Sequence, residues 1–356
     1  MSRYETAKET VGGVTALRLI DKQRRAEAVF YPEFGNNCTE FRTTPDDDDT
    51  AAEPVDLFVG PDAPQEFNTG SPIRYGLPIL FPFPNRVRGG RFTFEGRSYF
   101  MDKLLAKGWD SGAGQAIHGL VADQPWKLDD LSAGDAGAVG RCSLQLDAIP
   151  DIFHQYPFPC RLEVAYRLCE GVLNMEIAVH NTGDMNMPMG FGIHPWFPIA
   201  LRPGARMPAA MAGHTAEQRA RAEVRVPTTS VWELDHLMPT GKIKPAEDWE
   251  DLRDFQPLED HFFDTVFTGV QRGADGWSEG GLRDPVSRLE WYQAADAGFR
   301  EWVLYAPLDK RVVAMEPYTC TTDAVNLEPK GVDAGLVSLP AGHVWHGHIR
   351  FGLRRW

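Results

Sequence analysis

The stretch Arg161-Leu-Glu-Val-Ala-Tyr-Arg-Leu-Cys-Glu-Gly-Val-Leu-Asn-Met-Glu-Ile-Ala-Val-His180 decides the fold class of this chain. Leu162, Val164, Tyr166 and Leu168 alternate with Arg161, Glu163 and Arg167. Beyond Glu170-Gly171, Leu173, Met175, Ile177 and Val179 alternate with Asn174, Glu176 and His180. A strand sends successive side chains to opposite faces, so a period of two with one apolar phase means a sheet with one buried face. Two such runs joined at a glycine turn predict an antiparallel hairpin. Working outward, Phe92-Thr-Phe94 and Ser98-Tyr-Phe100 flank Glu95-Gly-Arg97 as a second hairpin. Trp345, Gly347, Ile349, Phe351 and Leu353 share one face of a C-terminal strand. Helical signals are confined to residues 216–223 and 247–255. With 34 Gly and 27 Pro punctuating short apolar runs, the expected class is all-β, a large antiparallel β-sandwich with few short helices. No internal repeat or linker divides the 356 residues, so a single domain over 1–356 is expected.

Charge narrows the function classes. Lys plus Arg number 36 against 50 Asp plus Glu, a net −14. A sequence-independent grip on nucleic acid needs a basic face, so no nucleic-acid partner is expected, and a neutral or cationic small ligand suits the chain better than a polyanion. The first residues, MSRYETAKETVGGV, lack an apolar core, and no run reaches the roughly 18 apolar residues of a membrane span. No membrane partner is expected, and the cytoplasm is the expected location. Cys38, Cys142, Cys160, Cys169 and Cys320 are scattered and odd in number, which favours reduced structural thiols over disulfides or a metal site. Asn37-Cys-Thr39 is a chance glycosylation match on that reading. The acidic run Asp46–Asp49 lacks the spacing and turn glycine of a calcium loop and is expected to be a solvated loop.

Two segments fit neither ordinary strand nor loop. Tyr75-Gly-Leu-Pro-Ile-Leu-Phe-Pro-Phe-Pro-Asn-Arg86 holds prolines that fix an extended path and deliver Asn85 and Arg86 at its end. Met189-Gly-Phe-Gly-Ile-His-Pro-Trp-Phe-Pro198 sets His194 among glycines, prolines and aromatics, with Trp196 suited to a sugar's apolar face. His118 follows a glycine-rich loop. His346 and His348 share a strand face, which reads either as solvated surface or as part of a metal site whose further ligands no spacing supplies. Glu316 ends the apolar run Val312-Val-Ala-Met315 and precedes Pro317. It fits equally a partly desolvated general base and a carboxylate that caps a strand end. Asp264, among aromatics in Phe262-Phe-Asp-Thr-Val-Phe267, raises the same question. There is no phosphate-binding glycine loop, no GxSxG and no Cys–His pairing.

Taken in order, several segments resemble the aldose 1-epimerase (galactose mutarotase-like) family. They are Gly76-Leu-Pro-Ile-Leu-Phe-Pro-Phe-Pro-Asn-Arg-Val87 leading to Gly90-Arg-Phe-Thr-Phe94, then Ile117-His-Gly119 and Gly192-Ile-His-Pro-Trp-Phe197. Asp264-Thr-Val-Phe267 follows, then Met315-Glu-Pro317 with Thr322-Asp-Ala-Val-Asn326; Met238-Pro-Thr-Gly241 resembles the family's turn before the later strands. The resemblance implies a β-supersandwich and interconversion of the α and β anomers of a free aldose. It implies His194 as general acid toward the ring oxygen and Glu316 as general base toward the anomeric hydroxyl. Arg86, His118 and Asp264, with Asn85 and Trp196, would bind the sugar, and Asp260 competes with Asp264. No cofactor and no metal are implied; the expected partner is a small-molecule sugar, and the state monomer or homodimer. The segment Phe81–Arg86 resembles a less typical branch of the family, so galactose is not implied. Two alternatives share the scaffold: a non-catalytic carbohydrate-binding sensor, and a hexose-6-phosphate mutarotase. For the latter, only Arg86, Arg88 and Arg91 suggest themselves as phosphate ligands. A glycoside hydrolase or lyase using Asp264 and Glu316 would leave His194 and His118 idle.

Overall fold

The hairpin of residues 161–180 forms as the strands Cys160–Cys169 and Val172–Asn181, with Leu162 opposite Val179 and Leu168 opposite Leu173. The structure, a computed structural model, describes residues 2–46, 49, 51–68, 71–110, 114–206 and 216–356. Three antiparallel sheets dominate it. The hairpin lies inside a nine-stranded sheet, where Val172–Asn181 pairs with the C-terminal strand Val344–Arg355. An eight-stranded sheet carries Ile79–Leu80, Gly192–Ile193, Trp196–Pro198, Thr228–Asp235, Met238–Pro245, Phe263–Val270, Glu301–Ala306 and Val312–Tyr318. A five-stranded sheet is built from the N-terminal strands, Tyr4–Val11 through Val55–Asp56. This is the β-sandwich class expected from the periodicity.

The alternation explains how the layers meet. Leu162, Val164, Tyr166, Met175, Ile177, Ile349 and Phe351 join one core with Phe263, Leu304, Val313, Met315 and Phe197 of the eight-stranded sheet. Phe197 stacks on Trp291 across the gap with ring centroids 3.9 Å apart and planes 11° apart. Each such side chain removed from water contributes about 1.5–3 kcal/mol, so the in/out pattern sets the register strongly. In the strand Val312–Tyr318 the odd residues enter this core; the even ones, 312, 314, 316 and 318, turn to the sheet's other face, where smaller clusters hold Val312, Ala314 and Tyr318. That second face carries the candidate site.

Helices are short, as expected. Residues 216–223 contain the helix Ala216–Arg221. The helix expected over 247–255 does not form: only the 3₁₀ turn Asp248–Glu250 appears, and the chain reaches an edge strand at Gln256–Pro257. Leu252 is buried and Val226 donates its N–H to the Leu252 carbonyl, so tertiary pairing overrides local helical preference here. All five cysteines are free thiols. Asp47, Asp48 and His214 lie outside the described residues, as do residues 111–113 of the glycine-rich loop. No helix among the described residues is long and apolar enough to cross a membrane.

Candidate active site

The register of the eight-stranded sheet brings His194 to Glu316. Gly192 pairs with Tyr318 and Trp196 with Ala314, one continuous antiparallel register in which His194 falls opposite Glu316. Pro195 and Pro317 have no N–H to donate and open the ladder at this point. The His194 N–H donates instead to the Pro78 carbonyl on the other side, at 3.0 Å. Across the next ladder, Val303 pairs with Glu316, Tyr305 with Ala314, and Asp264 with Tyr305. Since directly paired residues share a face, Asp264, Val303, Tyr305, Glu316, His194 and Trp196 all project to one side.

The remaining wall comes from a two-stranded ladder in which Ile117 pairs with Arg86 and Ala116 with Val87. Asn85 turns the chain into this ladder at φ 56°, a conformation Asn tolerates better than most residues. Its carbonyl accepts the His118 N–H at 2.8 Å, and His118 itself holds φ 63°. Gly119 follows at φ 75°; a Cβ there would sit 2.1 Å from the Phe81 carbonyl oxygen, so this close approach admits only glycine. A left-handed histidine kept beside a cavity is backbone strain of the kind that collects at functional sites.

All seven residues singled out by sequence (His194, Glu316, Arg86, His118, Asp264, Asn85 and Trp196) line one cavity of about 940 Å³. Asp260 does not line it and is exposed, so of the two rivals Asp264 is the one at the cavity. His346 is exposed and His348 packs against Trp277, 5.1 Å between ring centroids, far along the other sheet. Arg88 and Arg91 lie off the cavity; Arg74, Lys107 and Lys310 are the cations that join Arg86 on its wall, correcting the reading that confined candidate anion ligands to Arg86, Arg88 and Arg91. Sequence reasoning also missed Asp110, Tyr305 and Tyr318. The i, i+2 spacing of Glu316 and Tyr318 on a strand was a usable signal; nothing local marked Asp110.

His194 Nε2 stands 3.4 Å from Glu316 Oε1, both side chains almost fully buried. The Tyr318 hydroxyl donates to the other Glu316 oxygen. The His194 ring lies 4.8 Å from Trp196 and 5.2 Å, edge to face, from His118. Trp196 is itself held by an indole N–H bond to the Ile73 carbonyl at 2.7 Å. The Arg86 guanidinium is anchored by Asp110 at 3.3 Å and by the Asn85 side chain at 3.2 Å.

Burial pushes the Glu316 carboxyl well above the usual range; the Tyr318 hydrogen bond opposes this and the Asp264 charge adds to it. Burial likewise drops His194 to about 4, with the Lys310 charge contributing. His118 is lowered by burial, then by the charges of His194 and Arg86, and Asp264 is raised by burial. Both effects on the central pair favour a neutral imidazole beside a protonated carboxyl. A single proton shared across this 3.4 Å contact has imidazolium beside carboxylate as its other tautomer. Such a pair can give one proton and take another in a single site.

Residues 45–352 match the sequence model of the family described as aldose 1-epimerase. This chain belongs to the aldose 1-epimerase family. Among its relatives, the uncharacterized protein YihR of Escherichia coli strain K12 is 33% identical over 145 residues, which is 40% of this chain and 42% of YihR. The match thus spans less than half the length of that relative. The structure superposes on a galactose mutarotase-like protein from Clostridium acetobutylicum with a TM-score of 0.82 at 18% identity, covering 99% of each chain. It also superposes on galactose 1-epimerase from Lactobacillus acidophilus NCFM with a TM-score of 0.71 at 12% identity, covering 100% of this chain and 99% of that one. Identities this low speak for a shared mutarotase-like fold alone.

Proposed function

We propose that the protein is an aldose 1-epimerase, a mutarotase that interconverts the anomers of a free aldose with His194 as general acid and Glu316 as general base. The observation that carries this reading is the buried His194–Glu316 contact of 3.4 Å at the floor of an aromatic-walled cavity. Opening a hemiacetal requires one proton added at the ring oxygen O5 and one removed from the hydroxyl O1, two oxygens on the same carbon. In the imidazolium–carboxylate tautomer, Glu316 takes the O1 proton while His194 gives its proton to O5. The C1–O5 bond breaks and C1=O1 forms. The pair is left as neutral imidazole and protonated carboxyl, the tautomer that burial favours. Rotation about C1–C2 turns the other carbonyl face to the O5 hydroxyl; Glu316 then returns its proton to O1, His194 recovers the one on O5, and the ring closes as the other anomer. The pair's proton count never changes, so the same site runs both directions. Each transfer by a positioned group is worth about 10²–10⁴ in rate.

The rest of the wall suits a pyranose. Trp196 and Tyr305, 5.9 Å apart and near perpendicular, offer faces for the sugar's C–H surfaces. Arg86, Asn85, His118 and Asp264 supply hydrogen-bonding groups for hydroxyls, with Arg86 held in place by Asp110. The test is polarimetry of freshly dissolved α-D-glucose and α-D-galactose with the purified protein. Accelerated mutarotation is expected, and Glu316→Gln and His194→Asn should each remove most of it. Full activity in either variant refutes the assignment; sugar binding by the wild type with no acceleration would instead mark a non-catalytic binder.

A further inference from the structure

We propose that the protein carries a second ligand site, on the outer face of the nine-stranded sheet, where Arg350, Arg272 and the Tyr292 hydroxyl hold the phosphate group of a small phosphorylated molecule. The register builds it. Arg350, Gly352 and Arg354 alternate with the core residues Ile349, Phe351 and Leu353, and each starts a row across the sheet. Arg350 pairs with Ala294, which pairs with Glu279. Gly352 pairs with Tyr292, Tyr292 with Gly281, and Gly281 with Arg225. Arg354 pairs with the buried Glu290, which pairs with Arg283. Paired residues share a face, so Ala294, Gly281 and Gly352 leave a hollow bordered by long charged side chains. Tyr292 lies across Gly352, where a Cβ would sit 2.3 Å from the Tyr292 hydroxyl oxygen. The resulting cavity, of about 560 Å³, is lined by Arg225, Arg253, Arg272, Arg350 and Arg354 against the carboxylates of Asp46, Asp275 and Glu279. It shares no lining residue with the cavity of His194 and Glu316.

Three of the five arginines are already matched. Glu279 Oε1 accepts from Arg225 at 2.7 Å and from Arg354 at 2.6 Å; Arg354 also reaches Glu290, and Arg253 is paired with Asp251 at 2.6 Å. Arg350 and Arg272 are not: no carboxylate oxygen among the described residues lies within 4.0 Å of either guanidinium. The Arg350 guanidinium lies on the Trp277 ring, 3.4 Å from its centroid, and its buried Nε has no hydrogen-bond partner among the described residues. A guanidinium stacked on an aromatic face keeps its N–H groups in its own plane, as a fork able to grip an oxyanion with two bonds. Trp277 is fixed in turn. His348 meets its ring edge-on at 5.1 Å, its backbone N–H donates to the Asp275 carboxylate at 3.1 Å, and its carbonyl accepts from Gly273 at 2.8 Å. Arg272 is tied to the same loop: it donates to the carbonyls of Asp296 at 2.9 Å, Phe299 at 2.5 Å and, more loosely, Gly276 at 3.5 Å, beside Trp277. Those carbonyls position the guanidinium without cancelling its charge, and burial lowers its proton affinity against the pull of Asp296.

The donor set selects the ligand. Two guanidiniums without carboxylate partners, both partly withdrawn from water, are unfavourable together until an anion joins them. The Tyr292 hydroxyl, which makes no hydrogen bond among the described residues, adds a third donor on the same wall. A phosphate dianion balances two positive charges and has oxygens for all three donors; a single carboxylate offers one charge and two oxygens. The rest of the hollow, bounded by Gln271, Pro227 and Val172, has room for the group to which the phosphate is attached. On a chain of net charge −14, such a local pair of cations is what lets an anion approach.

The test is isothermal titration calorimetry of the full chain at low ionic strength with glycerol 3-phosphate, inorganic phosphate and glycerate. The variants are Arg350→Gln, Arg350→Lys, Tyr292→Phe and, as a control that removes a cation of the other cavity, Lys310→Gln. Glycerol 3-phosphate should bind one per chain with Kd below about 1 mM, inorganic phosphate should compete with it, and glycerate should bind at least about tenfold more weakly. Arg350→Gln should weaken glycerol 3-phosphate about tenfold or more. Arg350→Lys, which keeps the charge and loses the fork, and Tyr292→Phe, which loses the hydroxyl alone, should each give part of that loss; Lys310→Gln should give none. Thermal melting checks that the variants fold; if Arg350→Gln does not, Arg350→Lys and Tyr292→Phe decide. No binding of glycerol 3-phosphate by the wild type overturns the site, as does binding that persists unchanged in the folded Arg350 and Tyr292 variants or is lost in Lys310→Gln. Glycerate bound as tightly as glycerol 3-phosphate, or inorganic phosphate that fails to compete, overturns phosphate as the group held.

Discussion

Glu301 has no exposed surface and sits on the strand paired with that of Glu316, directly opposite Tyr318. One carboxyl oxygen accepts the Trp232 indole N–H at 3.1 Å, and the other lies 3.6 Å from Arg300 Nε, a guanidinium that also holds Asp333 at 2.7 Å. Burial outweighs the hydrogen bonds and the Arg300 charge, and pushes this carboxyl from 4.5 to about 8. The folded protein therefore binds this proton more tightly than the unfolded chain does. The associated stability is complete below about pH 4.5 and drains away as pH rises toward 8. At 1.36 kcal/mol per pH unit the total loss is about 5 kcal/mol, of which about 3 kcal/mol is already gone at pH 7. Glu301→Gln keeps an acceptor for Trp232 and cannot ionise. Urea denaturation across pH 5–9 should find the two proteins within about 1 kcal/mol at pH 5 and the variant ahead by about 3 kcal/mol at pH 7. Because every other titrating group is common to both, the difference isolates Glu301. A difference that stays flat from pH 5 to pH 9 refutes the reasoning.

Three further outcomes are expected. With His194 at about 4, kcat/KM should hold from neutrality down to near pH 5 and fall only as the pair takes a second proton; an acid limb near 6.5 in the pH–rate profile would contradict the buried, neutral imidazole. Tyr318→Phe removes the hydrogen bond that steadies the Glu316 carboxylate, so Glu316 moves further up and the optimum shifts to higher pH with a lower kcat at neutrality. An unmoved profile would show that the hydroxyl does not tune the base. Gly119→Ala forces a Cβ to within 2.1 Å of the Phe81 oxygen at φ 75° and should cost about 2 kcal/mol or more by urea denaturation, with lost activity because His118 is displaced; wild-type stability would argue against the close approach.

Much of the architecture was legible because strand periodicity is local. Alternation over residues 161–180 and 345–353 was enough to predict a hairpin and a C-terminal strand, each with one buried face. The failure at 247–255 has the opposite cause: a polar segment with helical propensity is held open by a single backbone bond to Val226 and by burial of Leu252, neither of which propensity can anticipate. At the site, Asn85, Arg86, His118, His194, Trp196, Asp264 and Glu316 were readable from their unusual local surroundings. Asp110, Tyr305 and Lys310 were not, since each matters only through what it meets.

By itself the sequence determined the sandwich class, the acidic charge, and a set of candidate site residues, with Glu316 open between base and strand cap. The tertiary structure decided the rest: that one unbroken register sets His194 opposite Glu316, that Asp264 lines the cavity while Asp260 does not, and that Arg272 and Arg350 border one hollow. Alternation is written into neighbouring residues and survives any global arrangement. Desolvation of a carboxyl, and repulsion between two cations far apart in the chain, exist only once the sheets have closed around them.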